Sequence, residues 1–314
     1  MYLCNMKARA AKSGKTANVC LLLALFLGLA GSTVAQPLAT PDTTNTSNKR
    51  LYLLAGGSAV LYTGALVGLS EIWYKDVPRT SFHFFNDNRQ WLQLDKAGHT
   101  LTAFHFSRAA TDALRWAGAD QKPAVWVGGL AGFVLLSPIE ILDGRSADYG
   151  ASWGDLAANA AGSALVIGQN LAWNELRVTP KFSFRTTKFA ARRPNVLGKT
   201  LPEQIIKDYN GQTYWLAVNV KSFLPKESKW PAWLGVAGGY GGSGMVYNDR
   251  DFNRAQGFNL YRQYYLAPDL NLRAIKTNSK VLKAVFYVLD VVHLPLPALE
   301  YSGRKGMRFH PVYF

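Results

Sequence analysis

Long apolar stretches broken by a few polar residues dominate the first half of the chain. Leu51 to Ser70 carries no charge and, at about twenty residues, is long enough to span a bilayer. Its glycines, Gly56, Gly57, Gly64 and Gly68, suit close helix packing in a membrane, and the same run also serves as a buried central helix of a soluble bundle. A polar, aromatic loop over 74–90 precedes a helix predicted from Asn86 or Asp87 to Trp116, with Gly118 near its end. Ala124 to Leu142 is a second apolar run whose only charge is Glu140. Ser152 to Trp173 is a third, in which Gly154, Ala158 and Gly162 recur every four residues and give a flat face for a neighbouring helix. Residues 51–175 therefore predict a mainly α, membrane-type bundle of about four helices.

The pattern then changes. Thr213 to Val220, the Gly-rich stretch from Trp233 to Tyr247, and Gly257 to Ile275 are aromatic and strand-like, separated by turn-rich polar segments. Lys280 to Val292 reads as a helix or a buried strand ended by Pro295 and Pro297. The final aromatic, Phe314, suits an outer-membrane barrel strand, but His310 and Pro311 break the expected alternation. Three or four strands are too few to close a barrel, so the expectation is a smaller β-rich region, 201–314, packed on the helices.

The N-terminus adds a compartment. Lys7, Arg9, Lys12 and Lys15 precede the apolar core Val19 to Leu27, and Thr33-Val34-Ala35 resembles a cleavage site, so residues 1–35 read as a secretory signal peptide. Residues 36–50, rich in Pro, Thr and Asn, read as a flexible linker. Both cysteines, Cys4 and Cys20, fall in the signal, and Cys20 lacks a lipobox context, which argues against a lipoprotein and leaves the exported part without disulfide or thiol. The net charge is +15, and about +11 without the four basic residues of the signal. An exported basic protein meets membrane lipids or lipopolysaccharide rather than nucleic acid, for which no fold signature is present; nothing in the chain names a protein partner. Residues 176–200 form a basic connector: from Arg177 to Lys199 there are seven basic residues and no acid. That run would be cytoplasmic in an inner-membrane protein, whereas a cleaved signal and four spans would leave it outside. The conflict resolves if one helix lies on the membrane, if the signal is kept as an anchor, or if the protein is associated with the outer membrane or faces the periplasm, with the inner membrane still open.

Ionisable groups in such apolar surroundings are costly unless paired, hydrated or used. Asp95 and His99 share a helix face with Thr102, and Lys96 is beside them. Ser152, Asp155, Asn159 and Ser163 form a second polar stripe, and Glu140 closes its own run before the turn signal Asp143-Gly144. If these faces meet, Asp95, His99, Glu140 and Asp155 are candidate metal ligands or acid–base groups, with Lys96, Ser152 and Asn159 as ligand-binding candidates and a divalent metal as candidate cofactor. Structural roles serve equally: Ser152-x-x-Asp155 resembles a capping box, Asp95 suits a helix start, and a His99–Glu140 pair would fix helix register. Gly239 to Gly244 matches GxGxxG without a following helix and reads as a flexible hairpin or bulge. His105, Arg108, Asp112 and Arg115 read as a solvated face with an Arg108–Asp112 pair, and His83, His293 and His310 as incidental.

The order Asp95-Lys96-x-x-His99, Glu140, Ser152-x-x-Asp155-x-x-x-Asn159 and Gly162 resembles the YfiM-like family of uncharacterised envelope proteins. More distantly it resembles VanZ-like membrane proteins; the likeness covers roughly residues 90–170. The resemblance implies an envelope location and a polar site, and brings no reaction with it. Two functions follow: a membrane protein binding a lipid headgroup, glycolipid or ion through the polar cluster, or a membrane-embedded hydrolase or transferase acting on lipid or lipid-linked cell-wall substrates.

Overall fold

A computed structural model describes residues 48–73 and 77–314. The signal peptide, both cysteines and most of the expected linker lie outside those residues.

Five long helices are described: α1 (Asn48–Trp73), α2 (Leu94–Trp116), α3 (Gly129–Gly144), α4 (Trp153–Trp173) and α5 (Lys280–Leu289). Small residues let α2, α3 and α4 approach backbone to backbone. A Cβ on Gly132 of α3 would lie 2.0 Å from the Ala103 carbonyl oxygen of α2, and one on Gly162 of α4 would lie 2.4 Å from the Thr100 carbonyl oxygen. Ala158 and Gly154 of α4 face α2 as well: Thr100 Oγ1 donates to Ala158 O at 3.2 Å, and a Cβ at Gly154 would press on Lys96. Between the helices, Ser107 and Ser163 hydrogen-bond to each other at 3.0 Å and accept the amides of Gly132 and Phe133 at 3.0 and 2.9 Å. Those amides follow a π-helical turn, Ala124–Gly128, whose wider winding disturbs the regular ladder. The Gly132→Ala variant should therefore lose about 1–3 kcal/mol or more, because the methyl group meets backbone rather than a movable side chain. Urea unfolding measures it; an unchanged midpoint would mean that α2 and α3 separate freely.

Six strands form one antiparallel meander in chain order: β1 (Val178–Phe184), β2 (Gln212–Val218), β3 (Leu234–Ser243), β4 (Tyr261–Leu270), β5 (Leu296–Ser302) and β6 (Gly306–Tyr313). The sheet curls back on itself. The free edge of β1 is taken by the chain just before β5: Phe182 N donates to Val291 O and His293 N to Phe182 O, each at 2.9 Å. Lys181 of β1 crosses the interior to Asp269 of β4 at 2.9 Å. Trp215, Ala217, Ala237, Tyr265, Ala267, Ala298 and Tyr313 form the core of this small barrel, and the Trp215 ring stacks on His293 at 3.9 Å. Gly239 is required there, since a Cβ would come within 2.7 Å of the Trp215 ring.

This architecture overturns the expected mainly α, membrane-type bundle of about four helices with a β-rich tail. The sheet has six strands rather than three or four, and β1 forms within the basic stretch. Among the described residues only Arg50–Gly68 and Gln121–Gly144 have the length and composition to cross a membrane. Helix α2 is too charged, holding Asp95, Lys96, Arg108, Asp112 and Arg115, and α4 buries Asp155, Asn159, Gln169 and Asn170. The runs read as strand-like, Thr213 to Val220, Trp233 to Tyr247 and Gly257 to Ile275, contain β2, β3 and β4. Gly239 to Ser243, expected in a flexible hairpin or bulge, belong to β3 in the middle of the sheet. Strand β6 accommodates Pro311 because it pairs on one side only, where a missing amide costs no ladder bond.

The supposed solvated face of α2 is instead its junction with the barrel. His105 bonds Pro180 O at 2.8 Å, and Arg108, 2 % exposed, donates to Asp290 at 3.0 Å and to Tyr287 O at 3.0 Å. Asp112 accepts the Tyr287 hydroxyl at 3.1 Å. Of the histidines read as incidental, His293 is a buried core residue and His310 pairs with Glu300 at 2.8 Å.

Candidate functional site

The polar residues of α2, α3 and α4 meet at one end of the helices. Three consecutive non-glycine residues before α2 adopt left-handed backbone: Trp91 (φ 46°), Leu92 (φ 54°) and Gln93 (φ 63°). Such conformations cost free energy and persist only where the surroundings fix them. Here the barrel does so: Leu92 and Leu94 are buried beside Met245, the Tyr240 hydroxyl donates to Leu92 O at 2.5 Å, and Arg262 donates to Gln93 Oε1 at 2.6 Å. The turn delivers Asp95 and Lys96 into the first turn of α2, which starts at Leu94 rather than near Asp87.

Loop 77–89 is laid along residues 146–151 by bonds from Phe85 N to Ala151 O and from Ala151 N to His83 O, at 3.0 and 3.1 Å. Phe84 stacks on Trp153 at 4.7 Å. This places Asp87 over the start of α4. Ser152 caps α4, its Oγ accepting from Asp155 N at 3.1 Å and donating to Asp87 Oδ1 at 2.6 Å. Its own amide donates to Glu140 Oε2 at 2.9 Å. The capping and site readings of Ser152 thus coexist in one side chain.

Two acidic subsites result. In the first, the Lys96 ammonium stands among Asp87 (2.5 Å), Asp95 (2.8 Å) and Asp155 (2.9 Å). Burial alone would depress the ammonium, but the charge of Asp95 and the bonds to all three acids hold it above the ordinary lysine value. Burial would raise Asp87, yet its Lys96 and Ser152 bonds bring it below the usual carboxylate range. Asp95 stays raised because burial outweighs its Lys96 contact.

In the second, ligand atoms of His99, Glu140 and Asp155 all lie within 4.8 Å of one another. His99 Nδ1 is 3.0 Å from Asn159 Oδ1. A proton carried on Nδ1 would bond that oxygen and leave Nε2, 3.7 Å from Asp155, free to act as a ligand. Glu140 is 3 % exposed, and its Oε1 has no hydrogen-bond partner among the described residues. Burial pushes its carboxyl up to about 7, against the Ser152 amide bond that lowers it, with the charge of Asp155 adding to the rise. Lys96 offsets only part of the charge of its three carboxylates, and through Asp155 it also touches the second subsite.

The seven candidate site residues, Asp95, Lys96, His99, Glu140, Ser152, Asp155 and Asn159, all lie in this cluster. Asp95 belongs to the lysine subsite and not to the His99–Glu140–Asp155 group. Sequence reasoning missed Asp87, treated only as a helix start, and the phenols of Tyr209 and Tyr214. A Cβ on Gly98 would come within 2.9 Å of the Tyr214 hydroxyl. Burial raises both phenols, and the charge of Asp95 adds to it. No signal in the chain pointed to either tyrosine.

Comparison with known proteins bears on the same segment. No curated protein and no solved structure matches the chain. Residues 83–170, which contain Asp87 and all seven polar residues but none of the barrel, match a family model described as "Predicted periplasmic lipoprotein (DUF2279)". The match supports neither the YfiM-like nor the VanZ-like naming. What it supports is an envelope protein carrying a domain of unknown function over residues 83–170.

Proposed function

We propose that this envelope protein holds a divalent transition-metal cation through His99, Glu140 and Asp155. One observation carries the reading: an imidazole nitrogen and two carboxylate oxygens lie within 4.8 Å of one another, and the buried Glu140 Oε1 has no hydrogen-bond partner among the described residues. A mixed imidazole and carboxylate set suits Zn²⁺ or Mn²⁺ better than Mg²⁺ or Ca²⁺, which favour oxygen alone. Asn159 would act as a positioning residue, keeping Nε2 of His99 available. Ser152 and Lys96 would fix the two carboxylates from behind.

Titration calorimetry of the full chain with Zn²⁺ and Mn²⁺ tests this. One equivalent should bind at pH 7.5, and His99→Ala or Asp155→Asn should weaken it at least tenfold. Because the Glu140 proton must leave, affinity should fall about fivefold from about pH 7, where a group of pKa near 7 is about half ionised, to about pH 6, where it is about one-tenth ionised. Equal binding by wild type and both variants would remove the metal reading.

A second reading, a metal-free acid–base site, has its own support in Glu140, whose carboxyl near 7 is matched to proton transfer at neutral pH. It fits the alternative of a hydrolase or transferase acting on lipid-linked substrates.

A further inference from the structure

The barrel has a polar feature of its own, separate from the cluster on the helices. Where β1 ends at Phe184, the chain passes the end of β3 and the β5–β6 turn, and these walls enclose a cavity of about 620 Å³. Arg185, Lys188 and Arg192 line one side and Arg304 and Lys305 the other, and none of the lining residues is acidic. The Arg304 guanidinium and the Lys305 ammonium lie over the Tyr261 ring, 5.6 and 5.5 Å from its centre, which holds them at the cavity rather than free in solvent. Five cations around one cavity repel one another until an anion lies between them.

The same hairpin that carries Arg304 and Lys305 is greasy on its outer face. Pairing aligns Leu266 with Leu299 and Phe309, and Tyr264 with Tyr301 and Met307, across β4, β5 and β6. All six side chains are exposed, from 38 % for Leu299 to 67 % for Phe309. Their inward neighbours on β4 and β5 include Gln263, Asp269 and Glu300, all buried. Over these strands the outer face is thus apolar, while the interior mixes these polar groups with Tyr265, Ala267 and Ala298; an exposed apolar patch of this kind marks a surface that meets lipid or a partner. An apolar surface joined to a basic patch is the two-part signal for stable attachment to an anionic bilayer.

We propose that the barrel docks on an anionic lipid surface: the outer face of β4–β6 enters the boundary between headgroups and acyl chains, and the basic cavity receives a lipid headgroup phosphate. This does not depend on the cation site. Flotation of the full chain with vesicles of phosphatidylcholine, alone or with added phosphatidylglycerol, tests it, and the binding to phosphatidylcholine alone measures what the rest of the chain contributes. Wild type should prefer the anionic vesicles. Lys188→Gln with Arg192→Gln, and separately Arg304→Gln with Lys305→Gln, should each lower that affinity about twenty-fivefold, at about fivefold per charge removed. Met307→Ser with Phe309→Ser should weaken binding to both vesicle types at least tenfold while keeping the anionic preference. All six positions are exposed, so the variants should melt as wild type does.

Equal binding of wild type to both vesicle types, or loss of neither charge pair's contribution, would overturn the proposal. Inorganic pyrophosphate that binds wild type and not the charge variants, without any vesicle preference, would assign the cavity to a free phosphate compound. Self-association abolished by the Met307 and Phe309 changes, again without vesicle binding, would assign the apolar face to a second copy of the chain.

Discussion

Replacing Lys96 with methionine should cost about 2–4 kcal/mol at neutral pH, somewhat less than the loss of one partner from a fully buried ion pair, because Lys96, Asp87 and Asp95 are only partly buried. Methionine keeps the length of the stem and removes only the charge, so the penalty comes from Asp87, Asp95 and Asp155, left facing one another with ligand atoms within 4.8 Å. The pH dependence follows from the direction of the shifts. In wild type the Asp87 carboxyl is lowered on folding, so its contribution is present above the unfolded carboxylate value and is lost as pH falls through the lower folded one. Without Lys96 the three acids repel, their folded values rise above the unfolded ones, and stability falls as pH climbs through that window. The gap between Lys96→Met and wild type should therefore narrow at acidic pH. Millimolar Mn²⁺ should narrow it too, by standing where the ammonium stood. Urea midpoints at acidic and neutral pH, with and without Mn²⁺, decide; a gap that stays constant across all conditions would mean that Lys96 acts only through packing.

Asp290→Asn should be of similar size, about 3–5 kcal/mol. Asp290 accepts from Arg108 at 3.0 Å and lies 3.4 Å from Lys181, which also meets Asp269 at 2.9 Å. Burial would raise its carboxyl, but the charges of Arg108 and Lys181 bring it below the usual range. An asparagine of the same shape leaves both cations short of charge in a site where Arg108 is 2 % exposed. Changing Arg108→Met together with Asp290→Leu should recover most of the loss, since Lys181 keeps Asp269 and no lone buried charge remains. A double variant no more stable than Asp290→Asn would show that the pair is needed for the docking of α2 on the barrel, beyond its charge balance.

The candidate cluster was legible in the sequence because ionisable residues stand out in apolar runs. The three- and four-residue spacings of Asp95 with His99, and of Ser152, Asp155 and Asn159, put each set on one helix face. Asp87 was not legible, since it reaches the cluster from an irregular loop that Lys96 and Ser152 hold. Strands β2, β3 and β4 were legible as aromatic, strand-like runs, but the closing of six strands into a barrel was not, for a different reason. Its inward positions on β3 are Ala237, Gly239 and Gly241, and those on β1 include Lys181, so the usual apolar-in alternation is inverted or blank. The Arg108 side chain looked solvated because Asp112 is its nearest acid in sequence. Its true partner, Asp290, is 182 residues away, and no local pattern announces a contact of that range.

The bonding of β1 to residues 291–293 also bears on the order in which the molecule can be assembled. As the chain emerges from its N-terminal end, β1 can pair with β2 early, but its other edge stays open until the last strands arrive. Contacts of such long range form slowly, and an unpaired edge is open to pairing with other chains meanwhile. Final closure of the barrel thus depends on the chain being present at least through His293, and a nascent chain halted before that point exposes the edge of β1 to its neighbours.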